Sequence, residues 1–91
     1  MSYGLAVAGD ARADLRSLEP WLQEEVWDRL ELVAADPSIL PSPSLDDDIS
    51  YEFAINSAGI RHFVIMTLAK NDSTQIVTLL GVAHRPIEPA P

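Results

Sequence analysis

Between residues 59 and 85 the chain alternates from apolar to polar and back in a way that predicts two adjacent strands. Phe63-Val64-Ile65-Met66 and Ile76-Val77 with Leu79-Leu80 are apolar at consecutive positions. Such runs suit central strands covered on both faces, or on one face plus a ligand or partner. The polar tetrad Lys70-Asn71-Asp72-Ser73 between them predicts the turn of an antiparallel hairpin. Arg61 and His62 open the first strand, and His84 and Arg85 close the second, so the hairpin predicts all four at one edge of the sheet.

Upstream, Tyr3, Leu5 and Val7 alternate with Gly4, Ala6 and Ala8, which predicts a first strand over 3–9. Asp10 stands where an N-cap belongs, and Ala11, Leu15 and Leu18 follow at i, i+4, i+7, giving a two-turn helix. Pro20 ends that helix and is favoured at the first position of a new one, so a corner falls at Glu19. Leu22, Val26, Leu30 and Val33 form the apolar stripe of the second helix, which Asp36-Pro37 terminates. Residues 37–48 form a connector stiffened by three prolines, with Ile39, Leu40 and Leu45 as candidate anchors to the core. Ile49, Tyr51, Phe53 and Ile55 then alternate with polar or small residues, a half-buried strand over 49–57 that Ala58-Gly59 turns into the hairpin. The tail 86–91 has three prolines in six residues and is expected to be extended and outside regular structure. The order β-α-α-β-β-β predicts one α+β domain over 1–91, a four-stranded, mainly antiparallel sheet with two helices packed on one face.

Composition narrows the chemistry. With no cysteine, disulfides and thiolate metal sites are excluded. No apolar run is long enough to span a membrane, and the N-terminus lacks a basic segment, so a cytoplasmic location is expected. The net charge of −8 opposes unaided nucleic-acid binding, which draws on lysine and arginine. The charge is uneven, however: residues 1–52 hold 12 acids and three bases, and 53–91 hold two acids and three bases. Both histidines also lie in that second half, which makes the hairpin the mildly basic part of an acidic chain. Asp46-Asp47-Asp48 lacks the glycine and distal glutamate of a calcium loop and reads as a solvated charge run. No metal-ligand cluster, phosphate loop or cofactor motif is present, so no cofactor or metal is expected.

Several pieces, in order, resemble the RelE/ParE superfamily of type II toxin–antitoxin toxins. They are Ala11 with Asp14-Leu15 and Leu18, Leu30 through Asp36-Pro37, Gly59 with Arg61, and Val82-Ala83-His84-Arg85. The resemblance implies the same β-α-α-β-β-β fold, a cognate antitoxin as partner, and a possible dimer or heterotetramer with it. Members similar to RelE cut messenger RNA on the ribosome, where a ribose 2′-hydroxyl attacks the neighbouring phosphate. The site then needs a base, positive charge for the phosphorane and a proton for the departing oxygen. By position, the resemblance makes Arg61 and Arg85 the phosphate-binding arginines. His84, beside Arg85, is the candidate that titrates near neutrality.

The RNA-cutting branch ends in a tyrosine that this tail lacks, which leaves two alternatives open: a ParE-like gyrase inhibitor, or a non-toxic binding module on the same fold. Arg61 has an alternative role, pairing with an acid such as Glu52 on the neighbouring strand. His62 alternates with Arg61 and reads as a core-edge residue. Trp21 and Trp27 read as helix-packing residues, with partner contact as their other use.

Overall fold

The computed structural model describes residues 2–40 and 48–87. Strand β1 (Gly4–Val7) leads into helices α1 (Gly9–Ser17) and α2 (Pro20–Ala35) and a 3-10 turn at Pro37–Ile39. Strands β2 (Ile49–Ser57), β3 (Ile60–Asn71) and β4 (Ile76–Ile87) follow. The sheet order is β1-β4-β3-β2, with β2–β3 and β3–β4 antiparallel and β1 parallel to β4. This is the expected α+β arrangement, a four-stranded sheet carrying both helices on one face.

The predicted stripe of α2 is what builds the core. Leu22, Val26, Leu30 and Val33 are all buried, and they meet Ala11 and Leu15 of α1 over Val64, Met66, Leu68, Val77 and Leu79 of the sheet. Burying a leucine or valine side chain stabilises by about 1.5–3 kcal/mol, so this one layer supplies most of the apolar driving force. On β3 the even positions from His62 to Leu68 are buried, and the odd positions Arg61, Phe63, Ile65 and Thr67 point to the other face. No helix covers that other face among the described residues. The apolar runs therefore belong to strands covered on one face only.

Four local expectations change. The N-cap of α1 is Ala8, whose carbonyl accepts from Arg12, and Asp10 lies inside the first turn, where its charge complements the helix dipole. The β3–β4 turn falls at residues 72–75 rather than 70–73. Asn71 moves it: its side-chain oxygen accepts the amides of Ser73 and Thr74, both at 3.0 Å, while Lys70 stays in the ladder opposite Val77. Pro86 and Ile87 belong to β4, opposite His62 and Arg61, instead of opening an irregular tail. β1 covers β4 only at residues 76–79, so Pro86 lies where the outer edge of β4 has no strand neighbour and a missing donor is tolerated. Of the connector anchors, Leu40 is buried and Ile39 is exposed. Leu45, Asp46, Asp47 and residues 88–91 lie outside the described residues.

The β3–β4 ladder contains one irregularity that the placement of the functional residues depends on. Thr67 pairs with Gly81 and Leu68 with Leu79, so Leu80 is an extra residue on β4. A bulge of this kind shifts the alternation by one. Before it, Val77 and Leu79 face the helices; after it, Val82 and His84 do, opposite Met66 and Val64.

Candidate functional site

The hairpin gathers Arg61, His62, His84 and Arg85 at one end of the sheet, but it divides them between the two faces. Register places Arg85 opposite Phe63, and Arg61 two positions from Phe63 on β3, so both arginines project to the open face. His62 and His84 project to the helix face. The division follows from strand alternation on β3 and from the bulge at Leu80 on β4.

On the open face the Arg61 guanidinium lies over the Phe63 ring, 5.3 Å from its centroid. Its Nε is buried and has no hydrogen-bond partner among the described residues. A buried donor without a partner is costly, and an Arg Nε together with a terminal nitrogen is the side-on fork that takes carboxylate or phosphate in two parallel bonds. No ion pair joins Arg61 to Glu52 among the described residues; β2–β3 register sets Glu52 opposite Ile65 and Arg61 opposite Asn56. Glu52 instead lines a shallow hollow of about 260 Å³ with Phe63, Ile65 and Arg85. The open face thus carries an apolar floor of Phe63 and Ile65, two guanidiniums and one carboxylate, a composition suited to an anion attached to a flat or apolar group.

The other cations are engaged elsewhere. Arg29 lies over Phe53 at 4.7 Å, and Lys70 pairs with Asp72 at 3.6 Å. Arg12 and Arg16 line a separate hollow of about 290 Å³ on the helical side with Val7, Leu15, Gln23 and Trp27. Trp27 is 40% exposed there, whereas Trp21 packs its edge on His62, ring centroids 5.0 Å apart.

On the helix face His62 Nδ1 and His84 Nε2 are 2.8 Å apart. Burial and the neighbouring His62 hold His84 below the ordinary histidine range, and Glu19 pulls in the opposite direction. Two imidazoles in direct contact leave no room for a phosphate between them, so this pair does not have the spacing of a separate base and acid. Sequence reasoning missed two contributors. Glu52 was named only as a pairing partner for Arg61, with no role in the chemistry. Asp14, whose carboxylate accepts the Val82 amide at 3.1 Å, was noted only as part of the resemblance. Gly81, alone inside an apolar strand, was the available sign of a bulge or close approach, and Asp14 Oδ2 lies 3.5 Å from where its Cβ would be. Among the described residues no three His, Asp or Glu side chains stand together as a metal site, and no helix is long and apolar enough to cross a membrane.

No family model matches the sequence, and no curated protein matches it. Solved structures do. The RelBE2 toxin–antitoxin complex of Mycobacterium tuberculosis contains a chain that superposes with a TM-score of 0.68 at 19% identity, over 93% of this chain and 100% of that one. A double arginine-to-alanine mutant of the E. coli toxin RelE in the free state gives 0.65 at 21% identity, over 91% and 83%. The intact E. coli RelBE toxin–antitoxin complex gives 0.63 at 20% identity, over 90% and 95%. Agreement at this level across nearly the full length of each partner is agreement of architecture: the chain has the RelE toxin fold.

Proposed function

We propose that the chain is the toxin of a type II toxin–antitoxin pair and acts on RNA through the open face of its sheet. One observation carries this reading. In a chain of net charge −8, two arginines stand on this face beside the half-buried Phe63 and the exposed Ile65, and one of them has a buried Nε without a partner among the described residues. Arg61 and Arg85 bind the phosphate, Phe63 and Ile65 give the bases or sugars an apolar seat, and Glu52 is the proton acceptor lining the same hollow. In the reaction a ribose 2′-oxygen bonds to the adjacent phosphorus while Glu52 takes its proton. The arginines neutralise the phosphorane oxygens, and the 5′ oxygen leaves with a proton from solvent. An acidic chain gains little non-specific affinity for RNA, so cleavage depends on a ribosome to present the message. The partner is a cognate antitoxin that covers this face and reaches round to the exposed Trp27 on the helical side.

Induced expression in a host lacking the antitoxin tests the proposal. Growth arrest with cut messenger ends is expected, relieved by Arg61→Ala and by Arg85→Ala. Harmless expression of the unaltered chain counts against toxicity. A second reading is inhibition of gyrase by binding, without RNA chemistry. It predicts arrest with intact messages and loss of supercoiling by purified gyrase.

A further inference from the structure

The chain has two histidines, and they face each other. Their rings are nearly parallel, 17° apart, with centroids at 5.0 Å and facing nitrogens at 2.8 Å. A centroid separation so much larger than the nitrogen separation sets the rings side by side, joined by a ring hydrogen bond. We propose that His62 and His84 form a proton-limited latch that joins the open ends of β3 and β4 beneath Trp21 of α2 and is released by acid.

Proton counting gives the device its threshold. In the neutral pair one facing nitrogen donates and the other accepts. A first added proton can occupy an outward-facing nitrogen, leaving the hydrogen bond intact. A second places N–H groups on both facing nitrogens, which destroys the bond and sets two positive charges side by side. A second proton on the pair is therefore opposed by the charge of the first.

The surroundings support one positive charge and oppose two. Glu19, the N-cap of α2, is the acid that acts on His84, and it is held in place by Trp21 Nε1–H, which donates to its Oε2 at 2.6 Å. The amide dipole at the start of α2 is positive and disfavours further cationic charge. β2 presents Ile55 and β4 presents Pro86 opposite His62, neither of them titratable. Arg61 and Arg85 are sequence neighbours of the pair but lie on the opposite face. Trp21 closes the remaining side of His62, which is 9% exposed.

The direction of the pH effect follows. His84 binds a proton less readily in the folded chain than at its ordinary value of 6.5. The contribution to stability is therefore complete above that value and declines as pH falls through and below it. Release loosens the strand ends that carry Arg61 and Arg85. That last consequence for anion binding rests on the reading of the open face; the latch itself does not.

The test is an NMR titration of the two imidazoles in the full chain from pH 8 to 4.5, with thermal melts across the same range. The His84 step is expected below 6.5, and Tm should fall between pH 6.5 and 5. His84→Gln places a non-titrating amide near the former Nε2. It should leave Tm at pH 8 within a few degrees and flatten the fall relative to wild type, since carboxylate titration is common to both proteins. Independent titration of both rings at their ordinary value, or equal pH slopes in the two proteins, overturns the proposal. If His84→Gln does not fold, the wild-type titration alone decides. None of these readouts depends on RNA cleavage or toxicity, so failure here and failure of the toxin reading are separate results.

Discussion

Asp14 and Val82, 68 residues apart, are joined by a 3.1 Å hydrogen bond in which the Val82 amide donates to the Asp14 carboxylate. It forms where β1 has ended and the outer edge of β4 is without a strand partner, two residues after Leu80. The first turns of α1 are thereby fastened to the part of β4 whose alternation has just shifted. Removing the acceptor leaves a part-buried amide unsatisfied, which costs about 1–3 kcal/mol. Asp14→Ala should lower the urea midpoint accordingly, and Asp14→Asn, which keeps an acceptor oxygen, should recover most of the loss. Equal destabilisation by both variants would assign the effect to charge rather than to the hydrogen bond.

Ile65 and Met66 are adjacent in sequence and comparably apolar, yet they face opposite ways. Met66 is fully buried, while Ile65 is 38% exposed on the open face. Met66→Ala should cost about 2–5 kcal/mol in chemical unfolding, as large-to-small core changes do. Ile65→Ala should cost well under half of that and express its effect in ligand binding. A large stability loss from Ile65→Ala would mean that the open face is covered in solution.

The β2–β3 turn has two central residues with positive φ, Ala58 at 53° and Gly59 at 76°, between the paired Ser57 and Ile60. Glycine adopts this conformation freely, but alanine is penalised by about 1–2 kcal/mol. Asparagine tolerates it and favours this type of hairpin turn. Ala58→Asn should therefore raise Tm by several degrees, and Gly59→Ala should lower it. An unchanged Tm for both would indicate a turn that relaxes out of this geometry.

Binding of the proposed antitoxin should separate into a charged and an apolar part. Arg85→Ala should weaken it moderately and reduce its dependence on salt, because the lost contact is electrostatic. Trp27→Ala, at the exposed rim of the Arg12–Arg16 hollow, should weaken it more, with the salt slope close to wild type. Titrations at low and high salt read both quantities, and an unchanged slope for Arg85→Ala would place the antitoxin elsewhere.

The parts legible in the sequence were those set by one dominant periodicity. The α2 stripe has the right residues buried because nothing competes with a 3.6-residue repeat of leucine and valine. β2 ends where Ala58-Gly59 demands a turn. The harder parts involved competition between local signals. Lys70-Asn71-Asp72-Ser73 has the composition of a turn, but ladder pairing holds Lys70 and Asn71 while the Asn71 side chain closes the following residues. Proline at 86 argues against a strand unless the edge it lies on is known to be bare. The grouping of Arg61, His62, His84 and Arg85 at one end was visible from the hairpin alone. Their division between faces was not, because Leu80 sits in an apolar run where an extra residue changes no composition and interrupts no hydrophobicity.

That extra residue sets where β4 can change length. A substitution in the strand alters one side chain, but loss of Leu80 would restore simple alternation. It would leave Gly81 opposite Thr67 and Val82 opposite Met66 and so keep every later side chain on its face, whereas loss of a residue between Val82 and His84 would turn Arg85 toward the helices. An insertion between residues 72 and 75 changes only the loop and leaves pairing from Ile76 onward in register. Across variants of this chain, changes in length should therefore accumulate in the β3–β4 turn and at Leu80 and be excluded from the short stretch between Gly81 and Arg85, whatever amino acids that stretch accepts.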